Sequence, residues 1–183
     1  MDFERYTLRA RRFIQNAQTL ALSSKHQQFV SLHLLKVLME DNEGRCPNFV
    51  DVSGGRASFV LEAVDAALDK IPVVDGMGAG NVYLAPEMVR LFDQADKMAS
   101  KAGDSFVSSE FLLLALSTTT GTEAEKILSN ANVLSRDLKT AIMDFRKHRK
   151  ADSVNAEENF DALNKYARDL TEEAAEGKID PVI

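Results

Sequence analysis

Tryptophan is absent from this chain, cysteine occurs once and proline four times in 183 residues. Aromatic residues make up only 7%, too little ring surface for the stacking platform that holds single-stranded nucleic acid. The lone Cys46 cannot close an internal disulfide, so the expected setting is a reducing one, the cytoplasm. The longest apolar run, residues 111–116, is far too short to cross a bilayer. The opening MDFERYTLRARR carries charge where a secretory signal has an apolar stretch, so no signal is expected.

A basic surplus is missing too. The net charge is −6, and residues 1–150 hold 19 acidic and 19 basic side chains. The whole imbalance lies in residues 151–183, with nine acids against three bases. Neither part has the cations that phosphate-backbone binding needs, so neither nucleic acid nor a membrane is an expected partner. The shift in composition near Lys150 predicts a domain over 1–150 and an acidic segment over 151–183.

What is present is a passage written twice. A shift of 78 residues lays Ala10, Phe13, Ile14, Ala17, Leu20 and Ala21 on Met88, Leu91, Phe92, Ala95, Met98 and Ala99. With one residue dropped, the shift becomes 77. Phe29, Val30 and Ser31 then fall on Phe106, Val107 and Ser108, and Leu34, Leu35 and Val37 on Phe111, Leu112 and Leu114. A fixed-offset self-match means that one structural unit was used twice, and the seam between the copies is a natural ligand groove.

Helical spacing dominates both copies. The first stripe predicts a helix over 8–23 with Thr7 as its N-cap. Ser31 is expected to cap a helix through residue 40, ended by Gly44, with a short turn at 48–52. Val60, Leu61, Val64, Ala67, Leu68 and Ile71 predict a helix over 56–70, stopped by Pro72. Pro86 opens the next helix at N1, Ser108 is expected to cap one through 116, and Thr122 starts one over 123–130. Leu138, Ile142 and Phe145 predict a last helix over 135–149. No segment alternates for long enough to be a strand. The expected fold is all-α: about eight helices as two pseudo-equivalent four-helix repeats, about 1–72 and 83–150, followed by an acidic linker helix. In that tail, Phe160, Leu163, Ala167, Leu170 and Ala174 form a narrow apolar stripe that needs a partner beyond this chain.

Most candidate sites fail on their chemistry. The glycines at 76, 78 and 80 lack the third glycine, the Lys-Ser/Thr and the preceding strand of a phosphate loop, and read as a connector. His26, His33 and His148 have no metal-ligand spacing. Cys46 reads as a passive thiol, and the basic run at 146–150 as a helix C-terminus whose cations offset the dipole. No catalytic, cofactor or metal constellation emerges. Two readings fit Phe92 and Phe111: plain core, or the apolar floor of an inter-repeat groove with Asp104 and Glu110 as an acidic rim. Such a groove suits an extended peptide with apolar and basic side chains.

The tail motif, residues 162–171 (ALNKYARDLT) followed by 177–183 (GKIDPVI), resembles the segment leading into the first ATPase module of Clp-type AAA+ chaperones. The Lys-Tyr before Arg-Asp-Leu-Thr is most similar to the ClpB-type disaggregases. The duplicated part, with FVSSEFLL at 106–113, resembles the Clp N-terminal repeat. The resemblance implies a substrate-handling N-terminal module on a linker. Its parent would be a homohexameric AAA+ ring that uses ATP and magnesium to extract unfolded or aggregated polypeptides, working with a DnaK-type system. No Walker A sequence occurs here, so the resemblance implies no nucleotide site in this chain. It assigns a substrate-related role to Thr7, Asp104 and Glu110 as polar groups, and to Phe92 and Phe111 as the groove. An alternative role is a regulatory or adaptor-docking domain that gates the ATPase ring without itself binding clients. His33 is expected to match Glu110, and Leu8-Arg9 stands where an acidic residue is commoner in the family.

Overall fold

The computed structural model describes residues 2–74 and 81–166. The glycine connector at 76–80, the outer stripe residues Ala167, Leu170 and Ala174, and the motif at 177–183 lie outside the described residues. After a 3-10 turn at Phe3–Arg5, the helices run in order: α1 (Leu8–Ser23), α2 (Ser31–Met39), α3 (Arg45–Val52), α4 (Ala57–Leu68), α5 (Pro86–Ala102), α6 (Ser109–Thr118), α7 (Glu123–Asn130), α8 (Ser135–Arg146) and α9 (Ala156–Tyr166).

The first four helices and the next four start at positions 78 apart, so the two four-helix repeats are as expected. The drop to 77 is not. Strand β1 (Gln28–Phe29) pairs in parallel with β2 (Tyr83–Leu84), placing Phe29 beside Leu84. Its counterpart is the bridge between Tyr6 and Val107, each member exactly one repeat away. Each copy thus lends the residue before its first helix to the other copy. Thr7 N donates to the Val107 carbonyl at 3.0 Å, and Ala85 N to the Phe29 carbonyl at 3.1 Å. The register therefore sets His33 opposite Phe111 and Leu32 opposite Glu110. The sequence match followed the repeated Phe-Val-Ser letters, whereas backbone pairing follows chain geometry.

The pseudo-axis also passes through the α3–α4 and α7–α8 corners. Gly54 and Asn132 are both left-handed, and Asn132 Nδ2 donates to the Gly54 carbonyl at 3.3 Å. A Cβ on Gly55 would lie 2.4 Å from Val133 Cγ2 and 3.1 Å from the Val50 carbonyl oxygen, so the two corners touch through bare backbone. The core is continuous across both copies, and α6 is buried over its entire first two turns.

Local signals held where side-chain chemistry was specific. Thr7 Oγ1 accepts from Ala10 N at 3.1 Å, Thr122 Oγ1 accepts from Glu125 N at 3.1 Å, and Pro86 stands at N1 of α5. The expected turn at 48–52 is the second half of α3, because Pro47 falls in its first turn, where no amide is needed. Gly44, expected to end α2, is the left-handed residue that leads into α3. Ser31 and Ser108 do not cap: neither hydroxyl has a hydrogen-bond partner among the described residues, and carboxylates from other helices accept from the first amides instead.

Candidate functional site

Two apolar-floored hollows and one buried ion network share out the residues singled out above. The smaller hollow, about 360 Å³, opens along the seam. Tyr6, Leu84, Val89 and Phe92 line it, with Asp2, Asp93 and Asp96 on its rim. Arg5 is the rim cation and is paired to Asp96 at 2.8 Å. Phe92 is 5% exposed and meets the Tyr6 ring edge-on at 6.1 Å, whereas Leu84 and Val89 are 43% and 56% exposed. Phe92 is thus core beneath the cleft, and the accessible apolar walls are Leu84 and Val89.

Phe111 lies elsewhere. It is 1% exposed and underlies a hollow of about 1110 Å³ between α5, α6 and α8 of the second copy, together with Met98, Leu114 and Met143. The rim there is cationic, with Lys101, Lys139, Arg149 and Lys150. A single groove joining Phe92 to Phe111 under an acidic fringe of Asp104 and Glu110 is therefore not the arrangement found.

Thr7, Asp104 and Glu110 are all buried. Asp104 accepts from Arg146 Nη2 at 2.6 Å and from Ala151 N at 3.0 Å. Glu110 lies 3.8 Å from both Arg45 Nη1 and Arg146 Nε, and neither of its oxygens has a hydrogen-bond partner among the described residues. Thr7 donates its hydroxyl proton to Glu157 while capping α1. Glu157 of α9 also accepts from Ser109 N at 2.8 Å, from the Ser109 hydroxyl and from Arg45 Nη1 at 2.9 Å. Burial, then the Glu110 carboxylate, push the Glu157 carboxyl upward, against the pull of Arg45. The stripe that was expected to need a partner outside the chain begins by folding back: Phe160 is buried with Ala151 and Ala156 against Phe106 and Phe145. This network escaped the sequence reading because Arg9, Arg45, Arg146 and Glu157 are spread over the chain. Only the missing acid after Thr7 hinted at it.

The histidines are not all scattered either. His26 Nδ1 lies 2.8 Å from His33 Nε2, and His33 Nδ1 accepts from Val30 N at 3.1 Å. Burial, then the neighbouring His26, lower His33 to about 4. Among the described residues no group of three or more His, Cys, Asp or Glu is placed to hold a metal ion. Cys46 is buried, and burial followed by Asp41 raises its thiol, as befits a passive side chain. Arg149 donates to the Phe145 and Arg146 carbonyls at 2.8 Å each, satisfying the last turn of α8 as expected of that basic run.

A doubled four-helix unit, its copies exchanging one short backbone pairing across an open seam, defines a tandem helical-repeat domain. Residues 5–131 match the Clp repeat (R) N-terminal domain family, and the chain belongs to it. It is 53% identical over its full length to the chaperone protein ClpB of Rhodopseudomonas palustris and 40% identical to that of Rickettsia bellii. It spans 21% of the length of each of these relatives. The fold is that of the Hsp104 N-terminal domain from Candida albicans, with a TM-score of 0.72 at 22% identity over 82% of this chain and 97% of that one. The N-terminal domain of ClpD from Arabidopsis thaliana superimposes with a TM-score of 0.60 at 23% identity, over 80% and 97% of the two chains.

Proposed function

We propose that this domain is the client-handling module of an ATP-dependent disaggregase and takes up unfolded or aggregated polypeptide weakly in the seam cleft. The supporting observation is the cleft itself: an apolar floor at the junction of the copies, two exposed apolar walls, and three carboxylates against one paired arginine on the rim. An extended segment with two or three apolar side chains and a basic flank fits that chemistry. Burying those side chains is worth roughly 3–6 kcal/mol gross. Ordering the chain takes much of that back, leaving a Kd roughly in the high micromolar to millimolar range. A weak site suits a module that hands its client on. ATP, magnesium, the homohexameric AAA+ ring and the DnaK-type system belong, on this reading, to the rest of the parent protein.

A second reading, adaptor docking or gating of the ring, draws on the larger hollow, whose cationic rim fits an acidic partner surface. Titrating labelled chain with an unfolded client separates the two. Leu84→Ser and Val89→Ser are expected to weaken client binding about threefold to tenfold each, from the apolar area they remove. They leave the melting temperature nearly unchanged because both side chains are exposed. If the unfolded client shows no saturable binding to the unaltered chain, the second reading stands.

A further inference from the structure

Helix α9 is held by more buried charge than a tether needs. Glu157, Phe160 and Asp161 stand at i, i+3 and i+4, on one face of the helix. Besides the four hydrogen bonds its carboxylate accepts, Glu157 lies 3.8 Å from Arg9 Nε and offers its backbone carbonyl to Arg45 Nη2 at 2.8 Å. Asp161 accepts from Arg45 Nε at 3.1 Å and from Arg9 Nη1 at 3.2 Å. The Phe160 ring lies under the Arg146 and Arg149 guanidiniums at 5.4 and 5.3 Å.

The repeat explains why a carboxylate from outside both copies belongs here. In the first copy the first amide of α2, Ser31 N, donates to Glu87 of α5 at 2.7 Å. The residue one repeat before Glu87 is Arg9, so the equivalent place in α1 holds a cation instead of an acid. The first amide of α6, Ser109 N, is the counterpart of Ser31 N. It finds its carboxylate in Glu157. Meanwhile no described residue of α9 belongs to the main apolar cluster. The buried residues of that helix form a separate small cluster with Ala151, and its other face, including Leu163, is exposed.

We infer that Thr7, Arg9, Arg45 and the N-terminus of α6 form a socket for a helix bearing carboxylate, aromatic ring and carboxylate at i, i+3 and i+4, and that α9 is a releasable latch seated in it. Seated, α9 fixes the direction in which the chain leaves the domain. Released, it frees the domain to swing while both repeats stay folded. The seam cleft plays no part in this inference.

Amide hydrogen exchange on the whole chain tests it. Ser109→Ala removes one hydrogen bond to a charged group and should speed exchange in α9 about tenfold. Glu157→Gln should do so by more, since the amide turns a donor toward donors. In both variants α1 to α8 should keep their protection, and Glu158→Gln, which loses only an exposed 3.8 Å pairing with Arg12, should speed α9 exchange far less than either. Unchanged α9 exchange in both Ser109→Ala and Glu157→Gln would overturn the latch. So would loss of protection throughout α1 to α8, which would make α9 part of the core.

Discussion

At position 26 and its repeat partner 104, the two copies solve one problem with different chemistry. The first copy buries His26 against His33, a neutral pair joined ring to ring. The second buries Asp104 against Arg146, which stands where the first copy has Leu68. The histidine solution has a consequence in acid. His33 titrates near 6.5 when unfolded but only near 4 when folded, because of burial first and His26 second. The unfolded chain therefore binds the proton first as pH falls. The stability His33 contributes is fully present above about pH 6.5 and is lost progressively toward pH 4. Urea midpoints across that window should fall less steeply in His33→Gln than in the unaltered chain. Equal slopes would remove His33 from the acid response. Gly55 is constrained by close approach, a Cβ there lying 2.4 Å from Val133 Cγ2. Gly55→Ala pushes a methyl into the stiff, buried Val133 and should cost about 1–3 kcal/mol in urea unfolding. Neither effect was legible beforehand: the repeat was visible, but which positions face each other depends on the seam.

At the scale of elements, apolar periodicity carried the reading furthest. The stripes of α1, α4, α5 and α8 each placed their helix within a few residues, because a face that must be buried leaves its period in the chain. Caps were legible only when local. Thr7 and Thr122 satisfy amides three residues on, whereas α2 and α6 take their caps from Glu87 and Glu157, 56 and 48 residues away. Glu87→Ala should therefore behave as a lost N-cap of α2, costing about 0.5–2 kcal/mol by thermal melting, although Glu87 lies in another helix. The two-residue strands left no alternation to read, being too short to show a period. The first turns of α9 dock on the repeats through charges whose partners are remote in sequence, so composition alone separated them from the domain at Lys150.

For the whole molecule, duplication sets both the shape and its opening. Reciprocal exchange of the segments before α1 and α5 locks the copies together at Tyr6, Phe29, Leu84 and Val107, and beside that lock the seam cleft stays open. A hollow does open between the repeats and Phe92 lies beneath it, but the other residues expected around a groove are not there. Asp104 and Glu110 turn inward to arginines, Phe111 serves a different hollow, and the rim comes from Asp2, Asp93 and Asp96. Phe92→Ala is a poor probe of the cleft, since deleting a buried ring costs about 3–5 kcal/mol of stability. The direct measurement is a residue-resolved NMR titration of the whole chain with an unfolded, apolar and basic polypeptide. Saturable shifts should centre on Tyr6, Leu84, Val89 and Asp93, and in Val89→Ser their midpoint should move to about threefold to tenfold more polypeptide. Shifts confined to the cationic hollow around Lys101 and Lys139, or none at all, would contradict the account.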